Sequence, residues 1–281
     1  MTTRRAATGF LLSCYCLICA CAAPSPTEIN TPQGPAENYP PVVVASPERR
    51  QAAEEAWRAF LKEFNLPETA PDLEPVLDTP HSLPPALSGR IALNPRGGEL
   101  PEIEAKEVLR KFLARARNII GGPNQGALFD PGDLSLTAFS ADEKIYRAVF
   151  EQQSYPHRLA NDYGELRLAF SRQGALLQMS SRLVPALDLP DEPTINPETV
   201  AERMVGREFT YTSVAGQPLS YRVARREDVE IKSLVIYPKP GADKLTFHLA
   251  LPFVVGSGTT WTVFVDAITG AEIEVKQNFA T

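Results

Sequence analysis

The sequence predicts an α+β protein of two consecutive domains, each an antiparallel sheet packed on a helix. Three observations predict this. In the first, Leu245, Phe247, Leu249, Leu251 and Phe253 alternate with Lys244, Thr246, His248 and Ala250, the period of two of a strand with one buried face. Trp261-Thr262-Val263-Phe264-Val265 makes a second strand, and Ala271, Ile273 and Val275 alternate with Glu272 and Glu274 in a third. The turn Asp266-Ala267-Ile268-Thr269-Gly270 joins these two, with Gly270 supplying a left-handed conformation. Such a meander needs a covering layer. The second observation is an amphipathic helix at 102–120. The third is a helix start at Asn196-Pro197-Glu198, which divides two series of strand-like runs.

In chain order, Thr2-Thr3-Arg4-Arg5 is followed by an apolar run at 9–20. That run is too short to span a bilayer, which takes about 20 residues. Ile18-Cys19-Ala20-Cys21 resembles a bacterial lipobox, with Ala20 in the small position before the cysteine. The resemblance implies a signal peptide at 1–20 and lipidation of Cys21, anchoring the chain at the cell envelope, at the outer membrane in a Gram-negative cell. The alternative is an ordinary signal peptide cut after Ala22 or Ala23. All four cysteines lie within the first 21 residues, so disulfides and thiolate sites are excluded from the rest.

Residues 21–46 are rich in proline and read as an extended tether. Ser46-Pro47-Glu48 starts a helix over 47–66, with a capping hydroxyl, proline at the first position and an acid in the first turn. Ala53, Ala56, Trp57, Phe60, Leu61 and Phe64 form its apolar stripe, which is expected to pack on the domains behind it. Residues 67–85 read as a second Pro-rich connection, with His81 a solvated loop residue.

The first domain is expected over 87–190. It opens with a short strand at 87–93. The helix at 102–120 follows, with Ile103, Val108, Leu109, Phe112, Leu113, Ala116, Ile119 and Ile120 on one face. Glu102, Glu104 and Glu107 sit where the helix dipole favours acids, which accounts for them without a metal. Gly121-Gly122-Pro123 stops the helix. Strands are expected at 134–139, 144–152, 163–170 and 175–183.

The second domain is expected over 191–281. Asn196 caps a helix whose apolar face is Val200, Ala201, Met204 and Val205. A strand at 233–237, a turn at Pro240-Gly241 and the meander follow.

The formal net charge is −6. Arg222, Arg225 and Arg226 are the nearest thing to a basic patch and read as solvated, so nucleic-acid binding is not expected. The three histidines are far apart and none precedes a glutamate, so H-E-x-x-H is absent. No G-x-S-x-G elbow or Walker loop occurs, and Gly256-Ser257-Gly258 reads as a hairpin connector. The reading is a non-enzyme without cofactors or metal.

The run WTVFVDAITGAEI resembles the last hairpin of a PepSY domain. The run YRAVFEQQSYPHRLANDYGELRLAFSRQGALLQMSSRLVPAL resembles the fungalysin/thermolysin propeptide domain. Gln152, Gln153, Tyr155, Tyr163-Gly164-Glu165-Leu166, Gly174 and Leu183-Val184-Pro185 carry that second likeness. The chain departs from the pattern at Tyr163, where a glycine is usual, and at His157-Arg158. The resemblance spans about 87–275, in the order found in protease propeptides. It implies a free-standing propeptide-like lipoprotein that inhibits or assists the folding of a thermolysin-type metalloprotease or another exported protein. It implies partner contact through the second sheet at Trp261 and Phe264 and places the tail 276–281 where a propeptide enters the catalytic cleft; there Phe279 is either an anchor in an apolar subsite or part of a frayed terminus, the simpler reading. The alternative is a structural or ligand-binding envelope module with no protease partner.

Overall fold

A computed structural model describes residues 38–122, 130–212, 217–256 and 260–278. In chain order these form β1 (Val42–Val44), α1 (Pro47–Glu63), β2 (Asp72–Leu73), β3 (Pro80–Ser82), β4 (Ile91–Ala92) and α2 (Glu102–Ile120). Next come β5 (Leu134–Ala141), β6 (Ile145–Gln152), β7 (Glu165–Ser171), β8 (Ala175–Ser181) and α3 (Pro197–Arg203). The last series is β9 (Glu208–Thr212), β10 (Pro218–Arg222), β11 (Val229–Ile231), β12 (Val235–Pro240), β13 (Lys244–Val255), β14 (Thr260–Asp266) and β15 (Glu272–Asn278). The class is α+β, with antiparallel ladders throughout.

The first lobe is a five-stranded sheet in the order β4-β8-β7-β6-β5. Its inner face presents Tyr146, Ala148, Phe150, Leu166, Leu168, Phe170, Leu176 and Met179. Against them α2 buries Ala105, Leu109, Phe112, Leu113, Ala116, Ile119 and Ile120. Ile103, expected on this face, is instead 84% exposed. It lies two residues before Ala105, about 200° round the helix, on the opposite side. The Ser46 hydroxyl accepts from the Arg49 N–H at 3.2 Å and caps α1 as expected. Helix α1 packs on α2: Trp57, Phe60 and Leu61 join the first-lobe core, and Phe60 meets Phe112 edge-on at 6.4 Å.

Two stretches read as irregular have ladder structure. Val42–Val44, assigned to the tether, pairs with 244–246 of β13 and buries Val43. Within 67–85, β2 and β3 form a hairpin. It is fixed by the Thr79 hydroxyl, which donates to Ser181 O at 2.6 Å, and by Arg49 Nε, which donates to Asp78 Oδ2 at 2.9 Å. Proline-rich composition concealed both: β1 pairs with a strand near the other end of the chain, and the short β2–β3 hairpin is fixed in part by Ser181, 102 residues beyond Thr79. The strand expected over 87–93 shrinks to β4, preceded by a short 3-10 turn.

In the second lobe β13 is the hub of a six-stranded sheet. On one side it pairs with β12 and then β11, on the other with β1 and then β14, which β15 follows. Two covers share its inward face. Leu249, Leu251, Phe253 and Val255 form a core with Ala201 of α3 and Met204 just past its end. Leu245 and Phe247 join Val76, Leu77, Leu159, Tyr163 and Val184 in a seam with the first lobe. Val205, expected on the apolar face of α3, is 41% exposed beyond its end. The seam also closes a sheet edge: Ile236 N donates to Arg158 O at 2.9 Å, and Ala160 N donates to Ile236 O at 2.9 Å.

Candidate functional site

The outward face of the second sheet gathers the polar and aromatic groups. Register sets which side chains share it: Tyr237 lies opposite His248, Ala250 opposite Asp266, Phe264 opposite Glu274, and Thr262 opposite Lys276. Tyr237, Ala250 and Ile273 make a small buried cluster beneath half-buried Phe264, whose ring centroid is 4.4 Å from that of Tyr237. The Tyr237 hydroxyl donates to Glu274. Lys276 Nζ stands 5.1 Å from the Tyr237 ring centre and 5.6 Å from that of Phe264, in cation–π range, and donates to Asn161 Oδ1 at 2.7 Å. Asn161 and Asp162 are both left-handed, with φ 61° each, as in a tight turn. Burial, and then the bond to Glu274, push the Tyr237 phenol up.

Beside this lies a buried carboxylate. Asp266 is 2% exposed. Its Oδ2 accepts from the Tyr39 hydroxyl at 3.0 Å and lies 2.7 Å from His248 Nδ1. Its Oδ1 accepts the Ile268 and Thr269 N–H groups at 2.9 and 2.8 Å. Burial by itself would raise this carboxyl's pKa, but the bonds from His248, Thr269, Ile268 and Tyr39 outweigh it and hold the group below the usual carboxylate range. The phenol of Tyr39 is pushed far up by burial and by the Asp266 charge. An imidazole oriented by a carboxylate is half of an acid–base device. Here the carboxylate is committed to the turn, and no described hydroxyl or thiol bonds to His248. Among the described residues no group of three or more His, Cys, Asp or Glu is placed to hold a metal. The arrangement can bind and orient, and it clamps the segment at Tyr39 onto the 266–270 turn.

The residues marked in the sequence are divided by the fold. Phe264 is on this outward face. Trp261 is not: it is 3% exposed, stacked at 5.2 Å on Phe209 and at 5.7 Å on Tyr221, with Tyr211 edge-on at 5.6 Å. The β9–β10 hairpin roofs it. Phe264 is three positions after Trp261, and an odd offset puts them on opposite faces of a strand. Cys21 and Phe279 lie outside the described residues, as does the Ser257-Gly258 part of the connector. Tyr39, Tyr237 and Lys276 went unmarked. The parity of His248, and Asp266 at the head of its turn, were the available signals.

What the fold defines is a two-lobed sheet-and-helix protein with an aromatic, charged sheet face and a clamped turn. No profile of a known protein family matches the chain. Over 143 residues it is 29% identical to the thermostable neutral protease NprT of Geobacillus stearothermophilus. That alignment takes in 49% of this chain and 24% of the protease, so the chain spans about a quarter of its relative's length. Among solved structures, the Bacillus megaterium YpeB C-terminal domain aligns over 83% of this chain and 98% of its own, at 14% identity and a TM-score of 0.31. At that score the likeness carries no argument. The similarity to a thermolysin-type protease fits a propeptide-like protein. No helix among the described residues is long and apolar enough to cross a membrane.

Proposed function

We propose that this protein is a non-catalytic, propeptide-like binder that inhibits a thermolysin-type metalloprotease or another exported protein, or assists its folding. One observation carries the reading: the chain shares 143 residues at 29% identity with a neutral protease, yet none of its three histidines stands in an H-E-x-x-H. In this reading the shared part corresponds to a region of the protease outside the zinc-binding helix, which does no chemistry itself. The outward face around Phe264 and Lys276 is the docking surface in this reading. An aromatic ring flanked by a cation and a carboxylate suits the centre of a protein interface. Lipidation at Cys21 holds the chain at the envelope and faces it toward exported partners.

The test mixes the purified chain with a mature thermolysin-type neutral protease and follows complex formation, residual activity and refolding yield. A complex that lowers activity or raises the yield is expected, and Phe264→Ala with Lys276→Glu should weaken it. Absence of any complex, with activity and refolding unchanged, overturns the reading. For the anchor, Cys21→Ala should move the protein from the membrane fraction to the soluble one.

A further inference from the structure

The outward face of the first-lobe sheet is used by nothing described so far, and it forms a groove of about 480 Å³. Its floor is set by register. Arg147 lies opposite Ala169, Val149 opposite Arg167, Ala169 opposite Gln178, and Arg167 opposite Ser180. One wall is β3, which runs beside β8 and contributes His81. The strand is held there by the Thr79–Ser181 bond.

Every charged or titratable group lining the groove is basic: Arg147, Arg167 and His81. This holds in a chain of net charge −6. The acids that partner these groups lie outside the lining. Arg147 NH1 meets Asp142 Oδ2 at 2.8 Å. Arg167 NH2 meets Glu165 Oε2 at 2.7 Å and Asp162 Oδ1 at 3.1 Å. His81 Nδ1 meets Glu74 Oε1 at 3.0 Å, and Arg182 Nε lies 3.0 Å from the same oxygen at an angle that makes no hydrogen bond. These contacts restrain the cations and leave N–H groups over: Arg147 Nε and NH2 and Arg167 NH1 have no partner among the described residues. Both arginine side chains remain about half exposed. A restrained guanidinium with free donors is suited to a carboxylate.

Arg147 and Arg167 are diagonal neighbours on adjacent strands, with Cα atoms roughly 7–8 Å apart, and their guanidinium groups turn toward opposite ends of the β6–β7 pair, Arg147 to Asp142 and Arg167 to Asp162 and Glu165. Val149 and Ala169 give an apolar floor between the two cations. We infer that this groove binds an extended peptide segment carrying acidic side chains. An anionic membrane is the poorer match, since headgroup binding draws on clusters of about 4–8 basic residues and this face offers two arginines in a recess. The inference does not depend on what docks at the second sheet.

The test uses the full chain and a fluorescently labelled peptide alternating Glu and Thr, with a Lys/Thr peptide as its counterpart. Anisotropy should show binding of the acidic peptide, weakened by salt as the screening length shortens to about 8 Å near physiological strength. Arg147→Gln with Arg167→Gln should weaken binding by about tenfold or more, while Arg110→Gln on the far side of α2 leaves it unchanged. Arg147→Gln alone leaves the buried Glu165 paired, so a loss of binding at unchanged melting temperature separates recognition from folding. Backbone resonances of Val149, Ala169 and Gln178 should shift with the peptide. Equal binding of the two peptides overturns the inference, as does full affinity in the double variant. Arginine-dependent capture by phosphatidylglycerol vesicles without peptide binding overturns it in favour of a lipid surface.

Discussion

The Tyr39 hydroxyl donates to Asp266 Oδ2 at 3.0 Å and also accepts the Leu249 N–H at 3.0 Å, joining positions 227 residues apart. This one phenol ties the start of the described chain to the turn before its last strand. Tyr39→Phe removes a donor from a buried carboxylate and strands a backbone N–H. A loss of about 1–3 kcal/mol is expected, read as a lower urea midpoint at unchanged slope.

Acid should act through the same carboxyl. Asp266 is held below the usual carboxylate range when folded, while an unfolded aspartate titrates near about 3.9. Below that value the unfolded chain binds more protons. The stability contributed by Asp266 is therefore present above the unfolded value and is lost as pH falls through the folded one. Urea midpoints measured from neutral pH downward should fall in that window. They should fall less in Tyr39→Phe, which lacks one of the contacts that lower the carboxyl.

Alkali should act in the opposite sense. Burial raises the Tyr39 and Tyr155 phenols well above the ordinary range, whereas unfolded tyrosine ionises near about 10. Their contribution is complete below that pH and is lost as pH rises above it. Phenolate absorbance should show these residues ionising only together with the loss of far-ultraviolet dichroism.

Both tryptophans are buried, Trp57 at 1% and Trp261 at 3% exposure. Fluorescence should be blue-shifted and poorly quenched by acrylamide. Trp57 Nε1 also donates to Thr69 O at 2.8 Å, so Trp57→Ala leaves a cavity and an orphaned carbonyl. A cost of about 3–5 kcal/mol is expected, visible as a depressed thermal midpoint. A small loss would show that α1 only rests on the first lobe.

Gly174 turns the chain between β7 and β8 with φ +82°, and a Cβ there would stand 2.6 Å from Asn94 Cβ and 3.0 Å from the Asn94 backbone nitrogen. Gly174→Ala should therefore destabilise by more than the ~1 kcal/mol that a strain-free glycine replacement would add. Chemical denaturation measures this directly.

Local signals placed much of this fold. Ser46 and Asn196 cap their helices as their neighbours indicate, and the Asp266–Gly270 turn forms where its residues call for it, with Gly270 at φ 74°. The apolar stripe of α1 packs into a core as expected. Parity along β14 already separates Trp261 from Phe264, although reading both as aromatic surface overlooked it. The groove was illegible, because Arg147, Arg167 and His81 come from three segments whose adjacency depends on register.

By itself the sequence determined where helices begin, which positions alternate, and that the chain lacks a zinc-binding helix motif. These follow from dihedral preference, capping and periodicity, which act over a few residues. Only the tertiary structure decided that Val42–Val44 joins the second sheet, that β2 and β3 lock onto β8, and that Tyr39 reaches Asp266. Burial of apolar area is non-directional. A period of two therefore shows that a face is covered, while the competition among all distant segments settles what covers it.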